Sequence, residues 1–315
     1  MKRIRALSLR FPRRTITLVD CFLNPRIQVF SIKITTQMEK HTIAFIGGGN
    51  MGRSLIGGLI ADGFDAARIR VAEPDGQRRD ALAGQFGIIA TSTGAEAVSD
   101  CNVVVLAVKP QVMQGVAREL GAHLHGKPVL VISVAAGIRE SALERWLGGG
   151  LAIVRAMPNT PALVQSGATA LHANPRVSRE QRSLAESVLR AVGLTVWLED
   201  EAQMDAVTAL SGSGPAYIFL VMEAMEQAGR ELGLAPETAR LLTLQTAFGA
   251  AKMALETSED TRSLREHVTS PGGTTEQALK VLMEGDIQQL FTEALKAAHR
   301  RAVELAEQLG ERDHE

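Results

Sequence analysis

Short apolar runs alternate with helical patterns between residues 42 and 134, and this alternation predicts a parallel sheet wrapped in helices. The predicted strands are residues 42–46, 69–72, 103–108 and 129–134. The third run is apolar at every position, which indicates a central strand covered on both faces. Two further strands are predicted at 153–157 and 195–198, on either side of a helical pattern at 178–192.

After residue 200 the pattern changes to long helices with no strand-like run between them. The helical patterns cover residues 215–232, 236–256, 275–284 and 286–309. In the last of these, apolar side chains recur at helical spacing: Ile287, Leu290, Phe291, Ala294, Leu295, Ala298, Ala302 and Leu305. Such a stripe must be buried, so the pattern predicts packing between subunits. We expect an α/β fold in which a doubly wound sheet at 38–199 precedes an all-helical domain at 200–310.

Residues 1–37 form an atypical N-terminal extension. Their only acidic residue is Asp20, and their basic residues are Lys2, Arg3, Arg5, Arg10, Arg13, Arg14, Arg26 and Lys33. The segment has neither a clear amphipathic period nor the apolar core and cleavage site of a secretory signal. Because Met38 immediately precedes the first predicted strand, we expect translation to start there.

Composition and charge exclude several classes of protein. The 315 residues are 45% hydrophobic and have a formal net charge of -1, so no overall field attracts nucleic acid or anionic lipid. No apolar run reaches the roughly 20 residues that a membrane-spanning helix needs. Cys21 and Cys101 form neither a disulfide framework nor a metal motif. We therefore expect a cytoplasmic protein that binds a small molecule, with no nucleic acid, membrane or metal partner.

A glycine-rich turn follows the first predicted strand. The residues of the G-x-G-x-x-G pattern are Gly47, Gly48, Gly49, Asn50, Met51 and Gly52. In such a turn the first glycine permits the tight bend, the second lets the backbone approach a pyrophosphate, and the third lets the next helix pack close to the strand. The position between a strand and a helix favours dinucleotide binding over a simple strand end.

The second strand ends at Glu73, where a dinucleotide-binding domain often places an acid that binds the ribose 2′-hydroxyl. This residue favours NADH. Arg78 and Arg79 follow within reach of a 2′-phosphate, which would favour NADPH, although both are also typical of a solvated helix face. The sequence leaves the choice open, and we expect measurable use of both cofactors.

Two later strand ends are also candidates for cofactor contacts, because ligands bind at the carboxyl ends of strands in doubly wound sheets. One is the segment Ala107, Val108, Lys109 and Pro110. The other runs from Ser133 to Gly137 and includes Val134 and Ala136, whose small neighbours leave room for a flat ring or, equally, for close helix packing.

Two segments rich in glycine, serine and proline precede helices in the second half, at 211–217 and 268–275. In the second, Ser270, Gly272, Gly273 and Thr274 supply hydroxyls and backbone N–H groups at a helix start, which is a suitable cradle for a carboxylate. The alternative is that Thr274 or Thr275 simply caps the helix.

With these motifs the chain resembles the pyrroline-5-carboxylate reductases, which make proline. The matching strings, in family order, are FIGGGNMG at 45–52, AVKP at 107–110, RAMPNTP at 155–161, SGSGPAY at 211–217 and VTSPGGTTEQAL at 268–279. The resemblance implies a Rossmann domain, a helical dimerisation domain, hydride transfer from NADPH or NADH to the cyclic imine, and a substrate site at the dimer interface. It also implies a homodimer that assembles into a larger homo-oligomer.

The resemblance assigns roles to individual residues. Thr275 would bind the ring nitrogen, and the backbone around Gly273 and Thr274 would hold the carboxylate. Glu259, or Ser258 if the alignment shifts by one residue, would approach the ring. Asn159 lies in the RAMPNTP loop and is expected to contact the cofactor. Two positions differ from many relatives, which often have asparagine at Gly94 and another polar residue at His267.

Hydride transfer to a protonated imine neutralises the iminium, so it needs alignment more than a strong acid.

Two other functions compete with this interpretation. A β-hydroxyacid dehydrogenase would carry a lysine on the first helix of its helical domain, and residues 215–234 contain none. A nucleotide-sensing protein without chemistry would not require the intact substrate loop.

Overall fold

The structure is a computed structural model that describes residues 40–310. The expected start at Met38 and the extension before it lie outside the described residues. Eight strands form one sheet: β1 Ile43–Ile46, β2 Ile69–Ala72, β3 Ile89–Thr91, β4 Val103–Leu106, β5 Leu130–Ser133, β6 Ala152–Met157, β7 Gly167–Ala173 and β8 Gly193–Trp197. Their order in the sheet is β3-β2-β1-β4-β5-β6-β7-β8.

The strand order confirms the predicted doubly wound sheet. The first six strands are parallel, β7 runs antiparallel to β6, and β8 is parallel to β7. The chain winds from β1 towards β3 and then crosses to β4 on the other side of β1. The crevice between the carboxyl ends of β1 and β4 is therefore the topological switch point, where such sheets bind ligands.

Twelve α-helices accompany the sheet in the described part of the chain. They are α1 Asn50–Ala61, α2 Gly76–Phe86, α3 Gly94–Ala97, α4 Pro110–Leu124, α5 Glu140–Trp146, α6 Arg179–Arg190, α7 Gln203–Val207, α8 Gly214–Glu231, α9 Pro236–Glu256, α10 Thr261–His267, α11 Thr274–Glu284 and α12 Ile287–Gly310. Alternate residues of β1 point to opposite faces, so Ile43 and Phe45 pack in one apolar layer and Ala44 and Ile46 in the other.

Several short elements were missing from the sequence prediction. The strand β3 is an edge strand of three residues, and β7 has the composition GATALHA, which is poor in β-branched residues. The helices α7 and α10 are each shorter than two full turns. The predicted strand at 103–108 ends at Leu106, because the chain leaves the sheet at Ala107.

The helical half exposes much of its apolar surface in a single chain. Phe219 and Leu220 on α8 are 62% and 66% exposed, and in α12 only Ala302, Ala306 and Leu309 are buried. An exposed apolar area of this kind is typical of a subunit interface. Leu309 packs with the apolar layer of the sheet, so the end of α12 contacts the first half of the chain. Among the helices of residues 40–310, none has the length and apolar character needed to cross a membrane.

Candidate active site

The glycine turn lies at the switch point between β1 and β4. Gly47 has φ +102°, and a Cβ there would lie 2.9 Å from the carbonyl oxygen of Ala107. A Cβ on Gly52 would lie 2.4 Å from the carbonyl oxygen of Gly47. Both positions therefore require glycine for the fold itself. At Gly49 a Cβ would meet no atom of residues 40–310 within 4 Å, so within the described chain this side of the turn is open.

The helix α1 begins at this open position. Its N-cap is Gly49, which supplies no side-chain hydrogen bond to the first turn, and Asn50 is exposed beside it. The first N–H groups of an α-helix have no acceptor within the helix, and the helix dipole favours an anion there. The turn therefore offers backbone donors and open space where a pyrophosphate would bind.

Glu73 lies where the sequence placed it, but its carboxylate is already engaged. It is 7% exposed, with one oxygen 3.1 Å from the backbone N of Gly48 and the other 3.1 Å from the N of Asp75. Both N–H groups donate to it, so the carboxylate fixes the turn, a role that the sequence did not indicate. Nearby, the Arg79 guanidinium donates to the Glu73 carbonyl at 3.2 Å, which places it over the loop and not on a solvated helix face.

The other predicted cofactor segments come to the same edge of the sheet. Ala107 and Val108 line the inside of the glycine turn, as the contacts of a Cβ at Gly47 show. Lys109 is exposed and is the N-cap of α4, with Pro110 in the first turn. Thus the AVKP segment and the glycine turn form one continuous surface.

The end of β5 forms the next part of this edge. The Val134 N–H donates to the carbonyl of Leu106 at 3.1 Å, and Ala136 is partly exposed. A Cβ at Gly137 would lie 3.2 Å from Leu309 Cδ1 on α12. Close packing of α12 therefore explains why position 137 is a glycine. The partly exposed surface at Ala136 leaves space for a flat ring.

Asn159 joins the two halves of the chain. Its side-chain NH2 donates to the carbonyl of Ser211 at 3.1 Å, and its side-chain oxygen accepts the N–H of Ala168 at 2.9 Å. Ser211 belongs to a π-helical segment, Thr208–Gly212, that leads into α8. Such segments are frequent at functional sites because they reposition side chains and carbonyls.

A cavity of about 590 Å³ opens at this junction. Its mostly apolar walls include Asn159, Ser211, Tyr217, Phe219, Phe291 and Leu295. The Tyr217 hydroxyl donates to the carbonyl of Ala209 at 3.1 Å, which fixes the start of α8. The sequence assigned no role to the SGSGPAY segment beyond its family match, although it forms much of this wall.

The predicted substrate loop precedes α11. The N-cap of this helix is Gly273, without a side-chain cap bond, so the alternative that Thr274 or Thr275 caps the helix is wrong. The Gly273 N–H donates to the carbonyl of Ser270 at 3.0 Å, and the Gly272 N–H donates to Glu276 Oε2 at 2.8 Å. The donors left for a ligand include the N–H groups and hydroxyls of Thr274 and Thr275 in the first turn.

Glu259 pairs with His267, the residue that directly precedes this loop. Its carboxylate lies 3.0 Å from Nδ1 of His267, the last residue of α10, and both side chains are substantially exposed. The intervening helix is capped by Asp260, whose carboxylate accepts the Ser263 N–H at 2.8 Å. This bond lowers the pKa of Asp260. His267, one of the two positions that differ from many relatives, thus contacts Glu259, a predicted substrate residue.

The structure brings the glycine turn, Glu73, the AVKP segment and the end of β5 to one edge of the sheet. Residues of the loop at 270–275 do not line the cavity at Asn159. In a single chain the loop at 270–275 is largely exposed and the cavity at Asn159 is open. Both features are expected if two subunits share one site.

A buried pair of titratable groups lies behind the cofactor edge. His172 Nδ1 is 2.7 Å from Glu140 Oε1, and Glu201 and Arg155 are close by. Burial raises the pKa of Glu140 above its ordinary value; the bond to His172 opposes the rise, and the charge of Glu201 adds to it.

The raised pKa of Glu140 predicts a pH-dependent stability difference. The folded chain binds the carboxyl proton of Glu140 more tightly than the unfolded chain does. The stability that this proton contributes is therefore complete below the ordinary pKa of 4.5, and it is lost as the pH rises through the pKa of the folded state. The variant Glu140→Gln lacks this loss. We expect its melting temperature, relative to that of the wild type, to be higher at about pH 8 than at about pH 5. A difference independent of pH would contradict the assignment.

Two families match the two halves of the chain. Residues 42–137 match the family described as NADP oxidoreductase coenzyme F420-dependent. Residues 201–305 match the family described as pyrroline-5-carboxylate reductase dimerisation. The first match ends after β5, and the second begins just before α7, after the last strand of the sheet.

Individual relatives cover nearly the whole described chain. A pyrroline-5-carboxylate reductase from Pseudomonas aeruginosa is 53% identical over 274 residues, which are 87% of this chain and 100% of that protein. The structure of a pyrroline-5-carboxylate reductase from Coxiella burnetii is 51% identical, with a TM-score of 0.82 over 84% of this chain and 98% of that one. The Plasmodium falciparum enzyme with NADP bound is 28% identical, with a TM-score of 0.76 over 85% and 99% of the two chains.

Proposed function

This chain belongs to the pyrroline-5-carboxylate reductase family, and from that premise we propose how its own residues carry out the reaction. The protein reduces 1-pyrroline-5-carboxylate to L-proline with NAD(P)H, the last step of proline biosynthesis. The observation that carries this conclusion is the 53% identity over the full length of the Pseudomonas aeruginosa reductase. The chain contains the dimerisation domain of the family.

We propose that residues 38–199 bind the cofactor and that residues 200–310 form the dimer and bind the substrate. The substrate loop of one subunit would complete the cavity at Asn159 of the other. The exposed apolar faces of α8 and α12 support this arrangement. Further apolar surface on α9, including Leu241 and Phe248, supports assembly of dimers into a larger oligomer. We also propose that this oligomer is cytoplasmic.

The residues of the glycine turn fit a dinucleotide, because the open position at Gly49 and the uncapped start of α1 would hold its pyrophosphate. The cofactor supplies the hydride when bound. The chain supplies alignment: the hydroxyl of Thr275 orients the imine nitrogen, and the N–H groups of Thr274 and Thr275 hold the carboxylate. Holding both ends of the substrate selects the ring face that receives the hydride.

Cofactor choice depends on Glu73 and Arg79. The negative charge of Glu73 disfavours a 2′-phosphate and so favours a ribose hydroxyl, whereas Arg79 lies over the same loop and favours a 2′-phosphate. We expect Arg79→Ala to raise the KM for NADPH by about 10-fold, as for a lost charged hydrogen bond, and to leave the KM for NADH within about 2-fold. Steady-state kinetics with both cofactors test this. A thousandfold preference of the wild type for NADPH would contradict the role of Glu73.

The reaction is tested by following NAD(P)H oxidation with pyrroline-5-carboxylate, alongside NAD+ reduction with a β-hydroxyacid. We expect activity with the imine. Activity with the hydroxyacid alone would contradict the proposed function.

A further inference from the structure

An ion pair between a buried arginine and a partly exposed glutamate crosses the junction between the sheet and the helical half. Arg155 on β6 is 3% exposed, and its Nη1 lies 2.9 Å from Glu201 Oε1, just before α7. Its Nη2 lies 4.0 Å from Asp205 Oδ1 on α7. Arg155 therefore holds Glu201 in one position relative to the sheet.

Glu201 uses the same oxygen for a second contact. Its Oε1 accepts the backbone N–H of Glu140 at 2.8 Å, at the start of α5. Glu140 ends the loop that follows β5, and this loop carries the expected cofactor residues Val134 and Ala136. On its other side the loop packs against α12 through Gly137. The loop from 134 to 140 is thus held between α7 and α12.

The other end of α7 reaches the wall of the cavity. The helix continues directly into the π-helical segment Thr208–Gly212, where the carbonyl of Ser211 accepts the bond from Asn159. One short, continuous piece of chain therefore connects the Glu201 contact on the cofactor side with the cavity that would admit the substrate ring.

We propose that Glu201, held by Arg155, is a positioning residue for hydride transfer. It fixes the loop at 134–140 relative to the cavity wall and so sets the distance between the nicotinamide and the imine carbon. This inference rests on the proposed function. Hydride transfer depends steeply on alignment, and a misplacement of about 1 Å can cost about 100-fold in rate. Glu201 is not among the residues proposed above to contact cofactor or substrate, so we expect its loss to act on kcat more than on KM.

The test compares Glu201→Ala with Glu144→Ala in the full-length protein. Glu144 on α5 pairs with Arg176 at 2.7 Å across the surface, so its loss removes an arginine–glutamate contact without touching the loop at 134–140. We expect Glu201→Ala to lower kcat by about 10-fold and to leave both KM values within about 3-fold, whereas Glu144→Ala stays near the wild type. Glu201→Gln keeps an oxygen acceptor for Glu140 and Arg155 and is expected to recover most of kcat.

Hydrogen exchange gives a readout independent of activity. In Glu201→Ala, the peptide that covers residues 134–142 is expected to exchange faster than in the wild type, and in Glu144→Ala this increase is absent. If Glu201→Ala does not fold, Glu201→Asp, whose carboxylate is withdrawn by one methylene, takes its place in both measurements. Equal kcat in the Glu201 and Glu144 variants, or unchanged exchange at 134–142, would overturn the proposal. An inactive wild type would instead overturn the proposed function, and the exchange comparison would still show whether Glu201 holds the loop at 134–140.

Discussion

Replacing Gly49 with alanine is expected to weaken NADPH binding by at least about 100-fold while leaving the folded structure intact, since two or more charged hydrogen bonds to phosphate would be lost. The backbone of Gly49 has φ -68° and ψ -174°, which alanine adopts without strain, and a Cβ there meets nothing within 4 Å. The methyl group would instead occupy the space through which the pyrophosphate approaches the turn. Fluorescence titration with NADPH measures the affinity, and the melting temperature measures the fold.

Two other glycines provide matched controls for this prediction. Gly84 lies inside α2, and a Cβ there also meets nothing within 4 Å, so Gly84→Ala should leave NADPH affinity unchanged and stabilise the helix by about 0.5–1 kcal/mol. Gly52→Ala should lower both affinity and melting temperature, because its Cβ would lie 2.4 Å from the Gly47 carbonyl oxygen. Normal NADPH affinity in Gly49→Ala would show that the pyrophosphate does not bind at this turn.

The sequence predicted the architecture well because the strands that define it are strongly patterned. The apolar run at β4 occupies a central strand, and the run at β1 lies beside it at the switch point. The strands that it missed, β3 and β7, gain their conformation from pairing with a neighbour and not from their own residues. Local propensity alone does not reveal such strands.

The sequence predicted the parts of the site that depend on the backbone conformation of a short motif. It did not predict the parts that depend on contacts between residues far apart in the chain. The glycine turn and the N-terminus of α11 follow from local spacing. The carboxylate of Glu73, in contrast, binds Gly48, which is 25 residues away, and the ion pair of Arg155 with Glu201 spans 46 residues. Sequence spacing does not show that these partners meet, so the turn-fixing role of Glu73 and the link through Glu201 required the folded chain.

Thr275→Ala is expected to lower kcat by about 10- to 100-fold, the range for a lost orienting or proton-relaying contact. Thr275 is in the first turn of α11, and its hydroxyl is not used to cap the helix, since the N-cap Gly273 has no side-chain cap bond. The hydroxyl is therefore available to the imine nitrogen of the substrate. Steady-state kinetics with pyrroline-5-carboxylate at saturating NADPH measure the effect.

The neighbouring threonine supplies the control for Thr275→Ala. Thr274 is also in the first turn, but its proposed role uses the backbone N–H, which alanine retains. Thr274→Ala should therefore keep kcat within about 3-fold of the wild type, as expected for a surface change that leaves the backbone donors in place. Thr275→Ser, which keeps the hydroxyl, should recover most of the activity, whereas Thr275→Val should resemble alanine. Unchanged kcat in Thr275→Ala would remove this residue from the mechanism and leave alignment to the helix N-terminus alone.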